Sequence, residues 1–206
     1  MEIQAAETAL RNAAAKPGNR RSSRRTRERS PQLTYEKLSE KDLEEAIALA
    51  NSVFPSDRDA ETSPEFDYRA GLDPERYRED LERIGIGSLQ HWTVKDQEKI
   101  LGLTGLYRVT SDPADVVWLD WFCTAPEARG KGIGRAMLEW TVAEAERQGF
   151  RKICLWTTDD PNEAAAQRLY ESMGFKIVSE EVSPDGTRRT FRREKALSDR
   201  KLAPVS

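Results

Sequence analysis

VVWLDWFCTAPEARGKGIGRAMLEWTVAEAERQG, residues 116–149, is the stretch from which the rest of the chain can be placed. It opens with Val116–Cys123, apolar and aromatic apart from Asp120, and a run of that length predicts a buried strand. In such a strand Trp118, Asp120, Phe122 and Thr124 share one face, and Val117, Leu119, Trp121 and Cys123 the other. Pro126 has no N–H to give a sheet and ends the run. After the loop Arg129–Gly134, Ile133, Met137 and Trp140 recur at helical spacing with Ala136 and Ala143 beside them, while Glu139, Glu144, Glu146 and Arg147 stay polar. Gly149 is a natural helix stop. The stretch therefore reads as strand, glycine-rich loop, helix.

That order has a chemical meaning. Glycines let the backbone turn tightly and approach a ligand. The first turn of a helix offers unpaired N–H groups and a positive dipole end, which suits a phosphate. Arg129, Lys131 and Arg135 add positive charge around Gly130, Gly132, Ile133 and Gly134, so residues 129–135 read as a phosphate cradle. The plainer alternative is a tight connection with solvated basic residues.

Spacing excludes two phosphate-binding patterns. A P-loop needs Ser or Thr after its lysine, but Gly132 follows Lys131. A Rossmann fingerprint counted from Gly130 needs glycine at 135, where Arg135 stands. The loop does match R-x-x-G-x-G after a P-E-x-R-G run. In this it resembles the GNAT superfamily of acyl-CoA-dependent N-acetyltransferases, whose central motif grips the coenzyme A pyrophosphate. Downstream, Asn162-Glu163-Ala164-Ala165-Ala166-Gln167-Arg168-Leu169-Tyr170 and then Gly174-Phe175 resemble the family's N-x-x-A-x-x-L-Y-x-x-x-G-F helix. One departure is visible: Asn162 lies seven residues before Leu169, one more than the family spacing, so Glu163 fills the asparagine slot.

Outward from these motifs, 206 residues with 37% hydrophobic and 33% charged side chains suit one domain with tails. No apolar run reaches the ~18 residues of a membrane span, and the start lacks the apolar core of a signal peptide, which points to a cytoplasmic protein. Cys123 and Cys154 fall in separate expected strands and read as reduced, buried thiols. One histidine and two separated cysteines give no zinc spacing, so no metal is expected. The net charge of −3 conceals an asymmetry: residues 1–31 carry eight basic and three acidic groups, leaving 25 basic and 33 acidic for the remainder. Residues 1–31 hold too few large apolar side chains to offset ordering entropy and are expected to be a disordered basic tail. A solvated tail, a nucleic-acid-binding arm and an organelle presequence are its three readings, Glu2 and Glu7 speaking against the last.

The domain is then expected over residues 32–195, with a C-terminal tail at 196–206. Leu33–Leu38 reads as a strand. Ser39 and Asp42 read as a capping box for a helix carrying Leu43, Ala46, Ile47 and Ala50 and closed by Pro55. A second helical region, broken at Gly71–Pro74, includes Pro74–Ile84 with Tyr77, Leu81 and Ile84 as its stripe. Ser88–Val94 and Ile100–Val109 are strands, as is Lys152–Thr158. Asp160, Pro161 and Glu163 supply an N-cap, an N1 proline and an N3 acid for the next helix. Phe175–Glu181 and Thr187–Glu194 close the domain as a hairpin around Pro184-Asp185-Gly186. This β-α-α-β-β-β-α-β-α-β-β order matches the GNAT fold: a mixed α/β class, with a mostly antiparallel sheet of about seven strands flanked by helices.

The resemblance implies roles. Acetyl-CoA is the implied co-substrate, lying between the strand before the cradle and the next strand. The backbone of Phe122, Cys123 and Thr124 would pair with the pantetheine arm and polarise the thioester carbonyl. Tyr170 matches the tyrosine that protonates the leaving thiolate; a packed aromatic is its alternative. Asp120, an acid in an apolar strand, would take the amine proton, bind a cationic substrate or make a structural hydrogen bond. Asn162 is the remaining implied coenzyme contact. His91 reads as a packed or surface residue. Expected partners are a small-molecule or protein amine, nucleic acid only through the tail, no membrane, and a monomer or homodimer. The rival function is a non-catalytic acyl-CoA-binding regulator whose basic tail binds nucleic acid.

Overall fold

The computed structural model describes residues 31–55 and 63–198. The expected N-terminal tail, residues 1–31, and the C-terminal tail, 196–206, lie almost wholly outside the described residues. In chain order the elements are β1 (Leu33–Lys37), α1 (Leu43–Val53), α2 (Pro64–Leu72), α3 (Arg78–Ile84), β2 (Ile86–Asp96), β3 (Lys99–Val109), β4 (Val116–Thr124), α4 (Ile133–Arg147), β5 (Lys152–Thr158), α5 (Ala164–Ser172), β6 (Lys176–Val182) and β7 (Arg189–Ala196). The strands form a single sheet in the order β1-β2-β3-β4-β5-β7-β6. Every pairing is antiparallel except β4–β5, and that parallel pair takes α4 as its crossover, as a parallel connection requires. The expected mixed, mostly antiparallel seven-stranded sheet is therefore present.

Helices cover both faces. Leu106, Val117, Leu119, Ile153 and Leu155 pack with Leu138, Val142 and Ala145 of α4 and with Tyr170 of α5. Leu103, Ile100 and Cys123 pack with Leu43, Ala46, Ile47 and Ala50 of α1 and Tyr68 of α2. A third cluster joins Val94 and Leu101 to Ile133 and Met137 at the start of α4.

Several local expectations are corrected. Ser39 does not cap α1; its hydroxyl donates to Asp42 Oδ2 at 3.0 Å, and that carboxylate also receives the buried Lys95 Nζ at 2.9 Å. A buried ammonium needs an anion, and this demand overrides the capping box. Gly71 lies inside α2, so the helical break falls after Leu72, and only Leu81 of the Tyr77–Leu81–Ile84 stripe is buried. Ser63, before α2, supplies a real cap by accepting from the Phe66 N–H at 3.2 Å. The inward face of α4 is Ile133, Met137, Leu138, Thr141, Val142 and Ala145, whereas Ala143 is exposed. Glu144 is buried there, paired with Arg147 and Gln148. The start of the α5 region is as expected, with Asp160 accepting from the Asn162 N–H, Pro161 at the first position and Glu163 in the first turn, where its carboxylate accepts from the N–H and hydroxyl of Thr158.

The largest correction concerns β4. Its register with β3 runs Tyr107↔Trp118, Leu106↔Leu119 and Gly105↔Asp120, then resumes at Leu103↔Cys123 after a shift. Trp121 and Phe122 thus oppose one residue of β3, a β-bulge. Asp120 and Trp121 both point to the α1–α2 face, while Phe122 turns to the α4–α5 face, so the expected alternation holds only as far as Asp120. Trp121 has φ +36°, a left-handed conformation that costs a tryptophan on the order of 1 kcal/mol or more. Its indole N–H, 2.7 Å from Asp67 Oδ2, and its edge contact with Phe54 hold it there.

Candidate active site

β4 and β5 pair only from Val116↔Lys152 to Trp118↔Cys154. Beyond that point each strand continues without the other, and the bulge lies on the unpaired part of β4. The cradle follows directly. Gly130 and Gly132 have φ of +72° and +79°, which only glycine adopts cheaply, and no heavy atom lies within 4 Å of where a Cβ would stand at either. Gly132 caps α4, whose first turn contains no acid to compete for its free N–H groups. Arg129, Lys131 and Arg135 are exposed around it. Arg135 donates to Ser172 Oγ at 2.8 Å, and Gly134 sits close to Leu169 and Thr124, so α5 and β4 both meet at this turn. The loop thus has the backbone, the space and the charge to receive a pyrophosphate.

Tyr170 lies on α5, buried, its ring 6.0 Å from Phe122 of the bulge and 5.7 Å from Phe175. Burial, reinforced by Glu163 and Cys123 and partly opposed by Arg193, raises the phenol's pKa and keeps its proton on at neutral pH. The Cys123 thiol is likewise pushed up by burial, to about 12. Asn162 is exposed on the turn ahead of α5, its N–H donating to Asp160. Phe122, Cys123 and Thr124 at the end of β4, the loop 129–135 and Tyr170 of α5 thus lie on elements that meet near the point where β4 and β5 cease to pair.

Asp120 is not alone in its strand. Its Oδ2 lies 2.8 Å from Nε2 of His91, whose side chain is 3% exposed. The two are on β2 and β4, in register with Gly105 of β3 between them. Tyr68 of α2 meets the His91 ring edge-on at 4.7 Å. Asp67, next to Tyr68, is buried against Trp121; burial and the nearby Asp120, partly opposed by the Trp121 hydrogen bond, push its carboxyl up to about 8. His91, Asp67 and Tyr68 were missed in the sequence because nothing local marks them. Only strand register and helix packing bring them to Asp120.

Residues 55–175 match the Acetyltransferase (GNAT) family, and the chain belongs to it. It is 34% identical over 74 residues to the ribosomal protein bS18 alanine N-acetyltransferase of Escherichia coli, a match covering 36% of this chain and 49% of that one. Its fold is similar to spermidine N-acetyltransferase from Vibrio cholerae in complex with CoA and spermine, with TM-score 0.60, 21% identity, and 82% and 97% of the two chains covered. It is also similar to the structure of the Escherichia coli bS18 enzyme, with TM-score 0.57, 20% identity, and 81% and 95% covered. The chain spans less than half the length of the curated relatives it matches.

Proposed function

We propose that the protein transfers an acetyl group from acetyl-CoA to a primary amine, directly, in a ternary complex. The observation that carries this reading is that the cradle, the β4 bulge and Tyr170 lie together near the point where β4 and β5 cease to pair. Arg129, Lys131 and Arg135, with the backbone of Gly130, Gly132, Ile133 and Gly134, hold the pyrophosphate. The N–H groups of Phe122, Cys123 and Thr124 orient the pantetheine arm and polarise the thioester carbonyl. Asn162 is the remaining contact proposed. Asp120 takes the proton of the attacking amine. Tyr170, kept protonated by its burial, gives one to the departing thiolate.

Relatives named for spermidine and for an alanine of a ribosomal protein support amines as the acceptor class. Among the described residues no helix is long and apolar enough to cross a membrane, and a cytoplasmic location is part of the proposal. The test is a panel of amino acids, polyamines, aminoglycosides and peptide N-termini, with release of free coenzyme A thiol as the signal. Turnover with any amine is expected and would exclude a purely binding role. Tight coenzyme binding with no turnover across the panel would favour the regulator.

A further inference from the structure

His91 is buried, yet two features of its setting are unusual for a packing residue. It spans the strand between itself and its partner: an ideal Cβ on Gly105 would lie 2.5 Å from His91 Cδ2, 3.1 Å from Nε2 and 3.1 Å from Asp120 Cβ. The missing side chain of Gly105 is therefore the opening through which the imidazole of β2 reaches the carboxylate of β4. Its other nitrogen, Nδ1, is buried with no hydrogen-bond partner among the described residues, facing Gly71 of α2, where an ideal Cβ would stand 3.1 Å away.

These facts select the tautomer. A buried N–H without an acceptor costs more than a buried lone pair without a donor, and Asp120 offers an acceptor only to Nε2. The proton belongs on Nε2, donated to Asp120 Oδ2. That bond engages Oδ2 and leaves the second carboxylate oxygen out of it, on a side chain 12% exposed.

We propose that His91 is a positioning residue for the acetyl transfer: through Nε2–H and across Gly105 it aims Asp120, so that the free carboxylate oxygen receives the proton of the attacking amine. The proposal rests on the acetyltransferase reading. In the step, the amine nitrogen bonds the thioester carbon, its proton passes to Asp120, and the carbon–sulfur bond breaks as the departing thiolate takes the proton of Tyr170. The imidazole takes no part in the transfer beyond donating Nε2–H to Asp120. The other titratable groups around the pair are Asp67 and Tyr68 from α2, Tyr107 from β3 and Cys123 from β4. Burial holds the phenols and the thiol in their neutral forms near pH 7.

The experiment compares wild type, His91→Gln and His91→Leu with an amine that the panel identifies. Gln keeps a donor within reach of Asp120, whereas Leu keeps the bulk alone. Expected are a kcat within about 3-fold of wild type for Gln, a fall on the order of 10-fold or more for Leu, and unchanged coenzyme affinity in both. The pH–rate profile should change for Leu only, since Gln alone keeps a donor to the carboxylate. Equal kcat and superimposed profiles in the two folded variants would overturn the proposal. Because the chain has a single histidine, imidazole nitrogen NMR of the wild type gives a second readout that needs no turnover and no variant. The Nε2–H form is expected, joined by the other tautomer in Asp120→Asn; an Nδ1–H form in the wild type would overturn the assignment. Wild type inert toward every amine would overturn the acetyltransferase reading and this role with it, whereas a normal His91→Leu enzyme would overturn this role alone.

Discussion

The two sides of the β4 bulge are built in different ways. Toward α4 and α5 lies a surface made of backbone: two left-handed glycines, the first turn of a long helix, and the main chain of Phe122–Thr124. Toward α1 and α2 lies a cluster of side chains from three separate elements, Asp67, His91, Asp120 and Trp121, held by bonds of 2.7 and 2.8 Å. A backbone site can serve one invariant ligand on many sequences. A side-chain site is specific to its chain and can differ in every relative. The contrast suits a reaction with one common donor and many acceptors.

The strongest way to break this division is at Tyr170, on the donor side. Tyr170→Phe keeps the ring against Phe122 and Phe175 and removes only the hydroxyl. Turnover should fall on the order of 10²-fold with coenzyme affinity intact. Wild-type kcat in the variant would reduce Tyr170 to a packing role, and a defect rescued by raising pH would mark a base and not an acid.

Next comes the cradle. Gly132→Asp would combine charge with strain at φ +79°, whereas a Cβ at Gly134 meets only ordinary contacts at 3.7 and 3.8 Å. Gly134→Asp therefore isolates the electrostatic effect. It should weaken coenzyme A binding on the order of 30-fold, or ~2 kcal/mol, by calorimetry. An unchanged Kd in the folded variant would move the phosphate elsewhere.

These donor-side residues could be read from the sequence because their chemistry depends on neighbours in the chain. Gly130, Gly132 and Gly134 announce a loop by spacing alone, and Leu169-Tyr170 announces a helix face. The acceptor side resisted reading for two physical reasons. The row His91–Gly105–Asp120 exists only once β2, β3 and β4 are in register. The bulge at Trp121 also lacks the residue type that normally betrays one, since a tryptophan at positive φ is held by its distant partners Asp67 and Phe54. Asp120 could be flagged as an acid needing a partner, but the partner could not be named.

A smaller effect sharpens the acceptor side. The Asp67 carboxyl, raised to about 8 from 3.8, binds a proton in the folded chain that the unfolded chain has already lost. Its contribution to stability is thus most favourable below about pH 4 and declines as pH rises to about 8. Asp67→Asn can still accept from Trp121 and removes that decline. It should gain ~2 kcal/mol over wild type at pH 8 and little at pH 4, by denaturant unfolding at both values. Parallel pH profiles for the two proteins would show that Asp67 is ionised at little cost.

The smallest effect is expected from deleting residues 1–30, whose composition cannot build a core. Melting temperature should change by less than ~5 °C, and acetylation of small amines should persist. A larger drop would show that the segment is docked. Salt-sensitive nucleic-acid binding lost with the deletion would give it a function of its own.

The strand order also bears on how the molecule is made. β7 is later in the chain than β6, yet it lies between β5 and β6 and, among the described residues, is the only strand with which β6 pairs. While the chain emerges from the ribosome, β6 has no partner until residues 189–196 have followed it, and the edge of β5 stays open for as long. The β6 side of the sheet therefore waits on β7. A nascent chain halted before Arg189 would expose two unpaired edges at once, which is where chaperone binding or misassembly would start.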